Sequence, residues 1–126
     1  MSLKTTVGMS IAVAALACLA AACGGSATAP SQDRDAIVTI TADGVSPREV
    51  RVDAWNQVVF VNNDTQPHNI VSDPVNEHTQ CPAINSVGYL PAGARGRTQT
   101  LIGGVCGFHD HLDLTNETMR GTIRVE

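Results

Sequence analysis

Four histidines, two cysteines and one methionine in the second half of this chain hold the side chains best suited to chemistry. His68 follows Pro67 in Pro67-His68-Asn69-Ile70, and His109 and His111 flank Asp110 in Cys106-Gly107-Phe108-His109-Asp110-His111. His78 lies between Glu77 and Thr79, Cys81 follows shortly after, and Met119 opens the closing stretch Met119-Arg120-Gly121-Thr122. Imidazole, thiolate and thioether are borderline to soft donors; they suit copper, whereas magnesium and calcium want oxygen. Each residue also has a bland reading. His68 could cap a strand, His109 and His111 could be an exposed pair at a strand end, His78 a surface residue, and Met119 part of a core. Enzyme signatures are missing: there is no Gly-x-Ser-x-Gly elbow, no His-Glu-x-x-His helix and no glycine-rich phosphate loop. The chain is therefore read as a non-enzyme.

The elements that must position these residues are strands. After residue 36 no long helical period occurs, and short β-branched runs alternate with turn residues. The expected strands are Ala36 to Thr41, Val50 to Val52, Gln57 to Asn62, His68 to Val71, Arg97 to Ile102, Val105 to Phe108 and Thr122 to Val125. Asp43-Gly44, Ser46-Pro47, Asn63-Asp64 and Leu90-Pro91-Ala92-Gly93 punctuate them. Asp73 to Ser86 has two prolines, two asparagines and no period, and reads as a long loop. Many short strands at this spacing predict an all-β sandwich or small barrel.

The N-terminal segment has a different purpose. Lys4 precedes an alanine-rich apolar run from Val7 to Ala22, too short to be a stable membrane span. Ala20-Ala21-Ala22 then leads into Cys23-Gly24-Gly25. Residues 1–22 are expected to be a signal peptide of the lipoprotein type, with Cys23 as the lipid attachment. The alternative is ordinary secretion with cleavage after a small-x-small site. Residues 23–35 read as a flexible tether, and residues 36–126 as one domain. The mature chain, 104 residues from Cys23, would keep seven arginines against twelve acidic residues, a net charge of −5. That charge offers no footprint for nucleic acid. The expected location is the outer face of a bacterial membrane or the periplasm. Of the four cysteines, Cys18 would leave with the signal and Cys23 would be acylated, so only Cys81 and Cys106 remain. Two thiols in an oxidising compartment most often pair; the sharper alternative makes one of them a copper thiolate.

Several of these strings, in order, resemble the cupredoxins, the small blue-copper proteins of the amicyanin and plastocyanin type. Ser46-Pro47 through Val52, then Val58 to Asn62, are similar to the family's early strands, and Pro67-His68-Asn69-Ile70 to its first-ligand segment. Leu90-Pro91-Ala92-Gly93, Gly104 and the closing Met119-Arg120-Gly121-Thr122-Ile123-Arg124-Val125 resemble later landmarks. The His109-Asp110-His111-Leu112 string, followed by Arg120-Gly121-Thr122, is similar to an exported branch of cupredoxin-like proteins. The resemblance spans roughly residues 36 to 126 and implies a Greek-key β-sandwich binding one copper ion. It also implies that the loops bearing all four histidines converge at one end of the sandwich.

Two alignments of the implied site compete. In the first, His68, Cys106 and His109 hold the copper with Met119 as axial ligand, although ten residues separate His109 from Met119. In the second, counting from Gly93 and Gly104 puts the family's copper cysteine at Asp110. Cys106 then becomes a strand residue free to pair with Cys81. By strand alternation Cys106, Phe108 and Asp110 share a face and His109 points away. The copper would rest on His68 with His111 or His109, helped by His78, and Asp110 would orient a neighbouring imidazole. The second alignment is preferred because it uses both cysteines. A thiolate site implies electron transfer with a redox protein partner. An all-imidazole site implies copper capture or exchange with a donor or acceptor. Either would operate as a lipid-tethered monomer. The reading from another class is a metal-free structural or interaction sandwich stapled by Cys81 and Cys106.

Overall fold

The computed structural model describes residues 35–126. The expected signal peptide, Cys23 and nearly all of the tether lie outside the described residues. Alternation of β-branched and polar residues produces the first strand, β1 (Ala36–Thr41), with Val38 and Ile40 inward. β2 (Gly44–Ser46), β3 (Glu49–Val52), β4 (Val58–Asn62) and β5 (His68–Ser72) follow. Then come a 3₁₀ turn over Pro82–Ser86, β6 (Gly88–Leu90), β7 (Arg95–Arg97), β8 (Gly104–Asp110), a second 3₁₀ turn over Glu117–Met119 and β9 (Arg120–Val125). One sheet has the order β2-β1-β4-β7, the other β3-β9-β8-β5-β6. β1 with β4 and β3 with β9 are parallel pairs; the rest are antiparallel. The result is the expected all-β sandwich. Among the described residues no helix is long and apolar enough to cross a membrane.

The core lies between the sheets. Phe60 from β4 meets Phe108 from β8 edge to face, with ring centroids 5.0 Å apart, a geometry worth about 0.5–1.5 kcal/mol beyond the area it buries. Val38, Ile40, Ile70 and Ile123 fill in around them, all fully buried. Gly121 on β9 must be glycine, because a β-carbon there would overlap the Phe108 ring and the Arg48 carbonyl.

Several elements differ from expectation: β6 is unexpected, β8 runs on to Asp110, β9 begins at Arg120, and a 3₁₀ turn closes the long loop. The strand expected over Arg97 to Ile102 is instead β7, Arg95–Arg97. Thr98 ends it: its hydroxyl accepts the Val58 N–H at 3.0 Å, and its own N–H donates to the Val58 carbonyl at 3.0 Å. Leu101 then turns into the core. Gly44 to Ser46, read as punctuation, pairs with β1 as β2.

Candidate metal centre

The long loop, residues 73–81, leaves β5 and crosses the outer face of β8. Residues 73–80 bury no side chain deeply, so polar bonds and one covalent bond must hold the loop. The Asp73 N–H donates to the Gly107 carbonyl at 2.9 Å, the Gln80 N–H to the Asp73 carbonyl at 2.8 Å, and the Gly107 N–H to Gln80 Oε1 at 2.7 Å. The Cys81 N–H donates to Ser72 Oγ at 2.8 Å. Cys81 is joined to Cys106 of β8 by a disulfide, Cα to Cα 5.6 Å. Gly107 has to be small, since a β-carbon would run into the Asp73 carboxylate.

β8 is used on both faces. Cys106, Phe108 and Asp110 point into the sandwich, at 1 % exposure or less. His109 points the other way, as alternation requires, yet it too is fully buried because the loop covers it. That loop brings His78, and the chain just past β8 brings His111. His78 has φ +54°, an uncommon conformation for a residue with a side chain. Its backbone is held on both sides: the N–H donates to the Pro74 carbonyl at 2.9 Å, and the carbonyl accepts from Asn85 Nδ2 at 2.9 Å. The His111 N–H donates to the Asn69 carbonyl at 2.8 Å.

His78, His109 and His111 each offer a ring nitrogen, and all three lie within 4.8 Å of one another. Ring centroids are separated by 4.8 Å to 5.8 Å. His109 Nδ1 is hydrogen-bonded to Asp73 Oδ1 at 2.6 Å. A ring nitrogen donating to a carboxylate carries the hydrogen, which leaves the lone pair on Nε2. His109 Nε2, His78 Nε2 and His111 Nδ1 are all buried and have no hydrogen-bond partner among the described residues. A buried polar group without a partner costs about 1–3 kcal/mol, and three together point to something that would satisfy them. A tetrahedral ion with bonds of about 2.0–2.1 Å holds nitrogens about 3.4 Å apart, so small ring rotations would close the set. The donor set and its carboxylate-backed histidine fit an ion that takes imidazole.

His68 is elsewhere. The buried Asn62 side chain shapes the turn before it, donating to the Gln66, Leu90 and Pro91 carbonyls at 2.8 Å, 3.0 Å and 3.2 Å and accepting the Asp64 N–H at 2.9 Å. This brings Asp64 Oδ2 to 3.1 Å from His68 Nε2, while Asp110 Oδ2 stands 2.7 Å from His68 Nδ1. Asp110 Oδ1 accepts the Asn69 and Leu112 N–H groups at 2.8 Å and 3.0 Å. Both ring nitrogens of His68 are thus taken by carboxylates. Asp64 is held below the usual carboxyl range of 3.8, first by the Thr65 backbone N–H and then by His68.

The placement departs from the expected ligand sets at several residues. His68 does not join His109 and His111, because the two carboxylates occupy its nitrogens. Cys106 is in the disulfide and offers no thiolate. Met119 lies in the core, 3 % exposed, lining the depression beside His68 and Asp110. His78, expected to help from the long loop, completes the group. Asp73 and Gly107 escaped sequence reading altogether; an aspartate and a glycine 34 positions apart give no local signal of their contact.

No family model matches the sequence, and no curated protein matches it. Solved structures do. A purple cupredoxin from Nitrosopumilus maritimus is 24% identical with a TM-score of 0.58, covering 73% of this chain and 100% of its own. An oxidised plastocyanin from Dryopteris crassirhizoma is 19% identical, TM-score 0.57, covering 72% and 100%. An amicyanin mutant in the Cu(I) state is 18% identical, TM-score 0.56, covering 78% and 88%. This chain has the cupredoxin fold. Within that fold, His68 is hydrogen-bonded to Asp110, the position that the second alignment matches to the family's cysteine.

Proposed function

We propose that this chain is an exported cupredoxin-like protein that binds one copper ion on His78, His109 and His111. The observation that carries the reading is the group of three buried, partnerless imidazole nitrogens, one of them on a histidine oriented by Asp73. Imidazole favours Cu(II) among the common divalent ions, and the fold is shared with an amicyanin studied as Cu(I). Bound copper would supply a one-electron Cu(I)/Cu(II) couple. An all-imidazole set suits copper capture and delivery at the cell surface, with a copper donor or acceptor as partner, better than fast electron transfer to a redox protein. The segment from Lys4 to Cys23 supports export with a lipid anchor at Cys23. A diacylated N-terminal peptide starting at Cys23, found by mass spectrometry of the membrane fraction, is the expected result.

The metal-free alternative takes support from His68, whose nitrogens are both satisfied internally. It leaves the other three imidazoles unexplained. Titration with Cu(II), followed by visible and electron paramagnetic resonance spectra, separates the two. The expected result is one ion per chain, a weak d–d band without the intense thiolate band, and coupling to several nitrogens. His78→Ala, His109→Ala and His111→Ala should each weaken binding more than about 10-fold, because each removes one of three metal bonds. His68→Ala should leave affinity unchanged. Absence of binding supports the metal-free alternative, whereas loss only in His68→Ala overturns the three-histidine site and places the ion beside Asp64 and Asp110.

A further inference from the structure

We infer that the Cys81–Cys106 disulfide and the three-histidine centre are thermodynamically coupled, so that reducing the disulfide releases the ion. This inference rests on the metal-binding reading above. His78 lies three residues before Cys81, and His109 three residues after Cys106. The disulfide thus fastens the one ligand carried by the loop to the strand that carries another. Cys106 is fixed, at 1 % exposure within the core. On its far side Cys81 runs into the 3₁₀ turn anchored by the fully buried Ile84. On its near side the loop has no deeply buried residue and depends on the hydrogen bonds of Asp73, Gln80 and Asn85.

Reduction by an external dithiol consumes two electrons and two protons. The S–S bond breaks, both sulfurs become thiols, and the dithiol becomes a disulfide. Two thiols cannot remain at bonding distance, so they must separate. Cys106 sits against the sheet, so Cys81 and the loop take up the movement. Metal–nitrogen bonds are only about 2.0–2.1 Å long, so a ligand carried off with the loop leaves the set. His78 is therefore the ligand lost, while His109 and His111 stay on the strand. Coupling of this kind is reciprocal: the bound ion must resist reduction of the disulfide by the same factor by which reduction weakens binding.

Zinc is the probe, because it is redox-inert and takes imidazole. Affinity is measured by chelator competition for the oxidised wild type and for Cys81→Ser/Cys106→Ala, which opens the link without offering thiols to the ion. At least a tenfold loss is expected in the double variant. The disulfide midpoint is then measured in dithiothreitol buffers, at zero and at saturating buffered free zinc, by trapping and counting alkylated thiols. A tenfold coupling moves that midpoint about 30 mV more negative, and this arm holds even if the double variant folds poorly. His78→Ala closes the cycle: in that background, opening the disulfide should no longer change affinity. If the oxidised wild type binds no zinc and no copper, the metal-binding reading fails and this inference with it. If it binds but affinity and midpoint ignore each other, or if the coupling survives in His78→Ala, the inference alone is overturned.

Discussion

Asp73 is a single carboxylate on which the candidate centre turns. Its backbone pins the loop to β8 and its side chain fixes which nitrogen of His109 stays bare. Removing such a support typically costs about 10–100-fold in metal affinity. That loss is the expected outcome for Asp73→Asn in a chelator competition, with the far-ultraviolet spectrum unchanged. Asp64 answers a different test. The Thr65 N–H and His68 hold its carboxyl below 3.8 in the folded chain. A carboxyl lowered by folding adds stability that is complete above its unfolded value and disappears as pH falls through the folded one. Thermal melts of wild type and Asp64→Asn should therefore differ by a constant amount at neutral pH and converge on acidification below that range. Glu49 is lowered in the same way, chiefly by its bond to Arg124, and adds to the acid sensitivity of wild type and variant alike.

At the scale of elements, β8 explains what the sequence could and could not reveal. Alternation along Cys106, Phe108 and Asp110 is a local property of any strand, and it assigned their common face and the opposite direction of His109 correctly. Nothing local says that the opposite face will be covered. The cover is the segment from Asp73 to Cys81, which has no period, so its part in the site depends on contacts about 30 residues away in sequence (Asp73 to Gly107, Cys81 to Cys106). The Arg97 to Ile102 stretch misled for a related reason: its β-branched residues suit a strand, but Thr98 spends its bonds on Val58. Gly107→Ala tests the cover directly. The added methyl meets the Asp73 carboxylate and Gln80 Oε1, so the carboxylate must leave its place beside His109. Overpacking of this kind costs about 1–3 kcal/mol. Urea unfolding should register that loss, and metal titration a weaker site, while the disulfide stays formed.

For the whole molecule, the sandwich was legible because strand spacing and family landmarks agree over the entire domain, whereas the site was only half legible. The resemblance supplied His68 as a ligand. It could not show that an aspartate at position 110, beside another at position 64, would satisfy both of its nitrogens. The fold thus keeps its corner and closes it with charge, while the free imidazoles gather on the outer face of β8. Heat separates the two locations. An ion bound only by the folded chain adds about 2.7 kcal/mol at a free concentration 100 times its Kd. Each kcal/mol raises Tm by about 4–8 °C in a domain of this size, so zinc or copper at that level should lift the wild-type melt by roughly 10–20 °C. His109→Ala should lose the rise. His68→Ala should melt lower from the outset, because Asp110 is left buried without its partner, and yet show the full rise on adding metal. If instead His68→Ala lost the rise and His109→Ala kept it, the ion would belong to the corner with the two aspartates, and the three imidazoles outside would need another explanation.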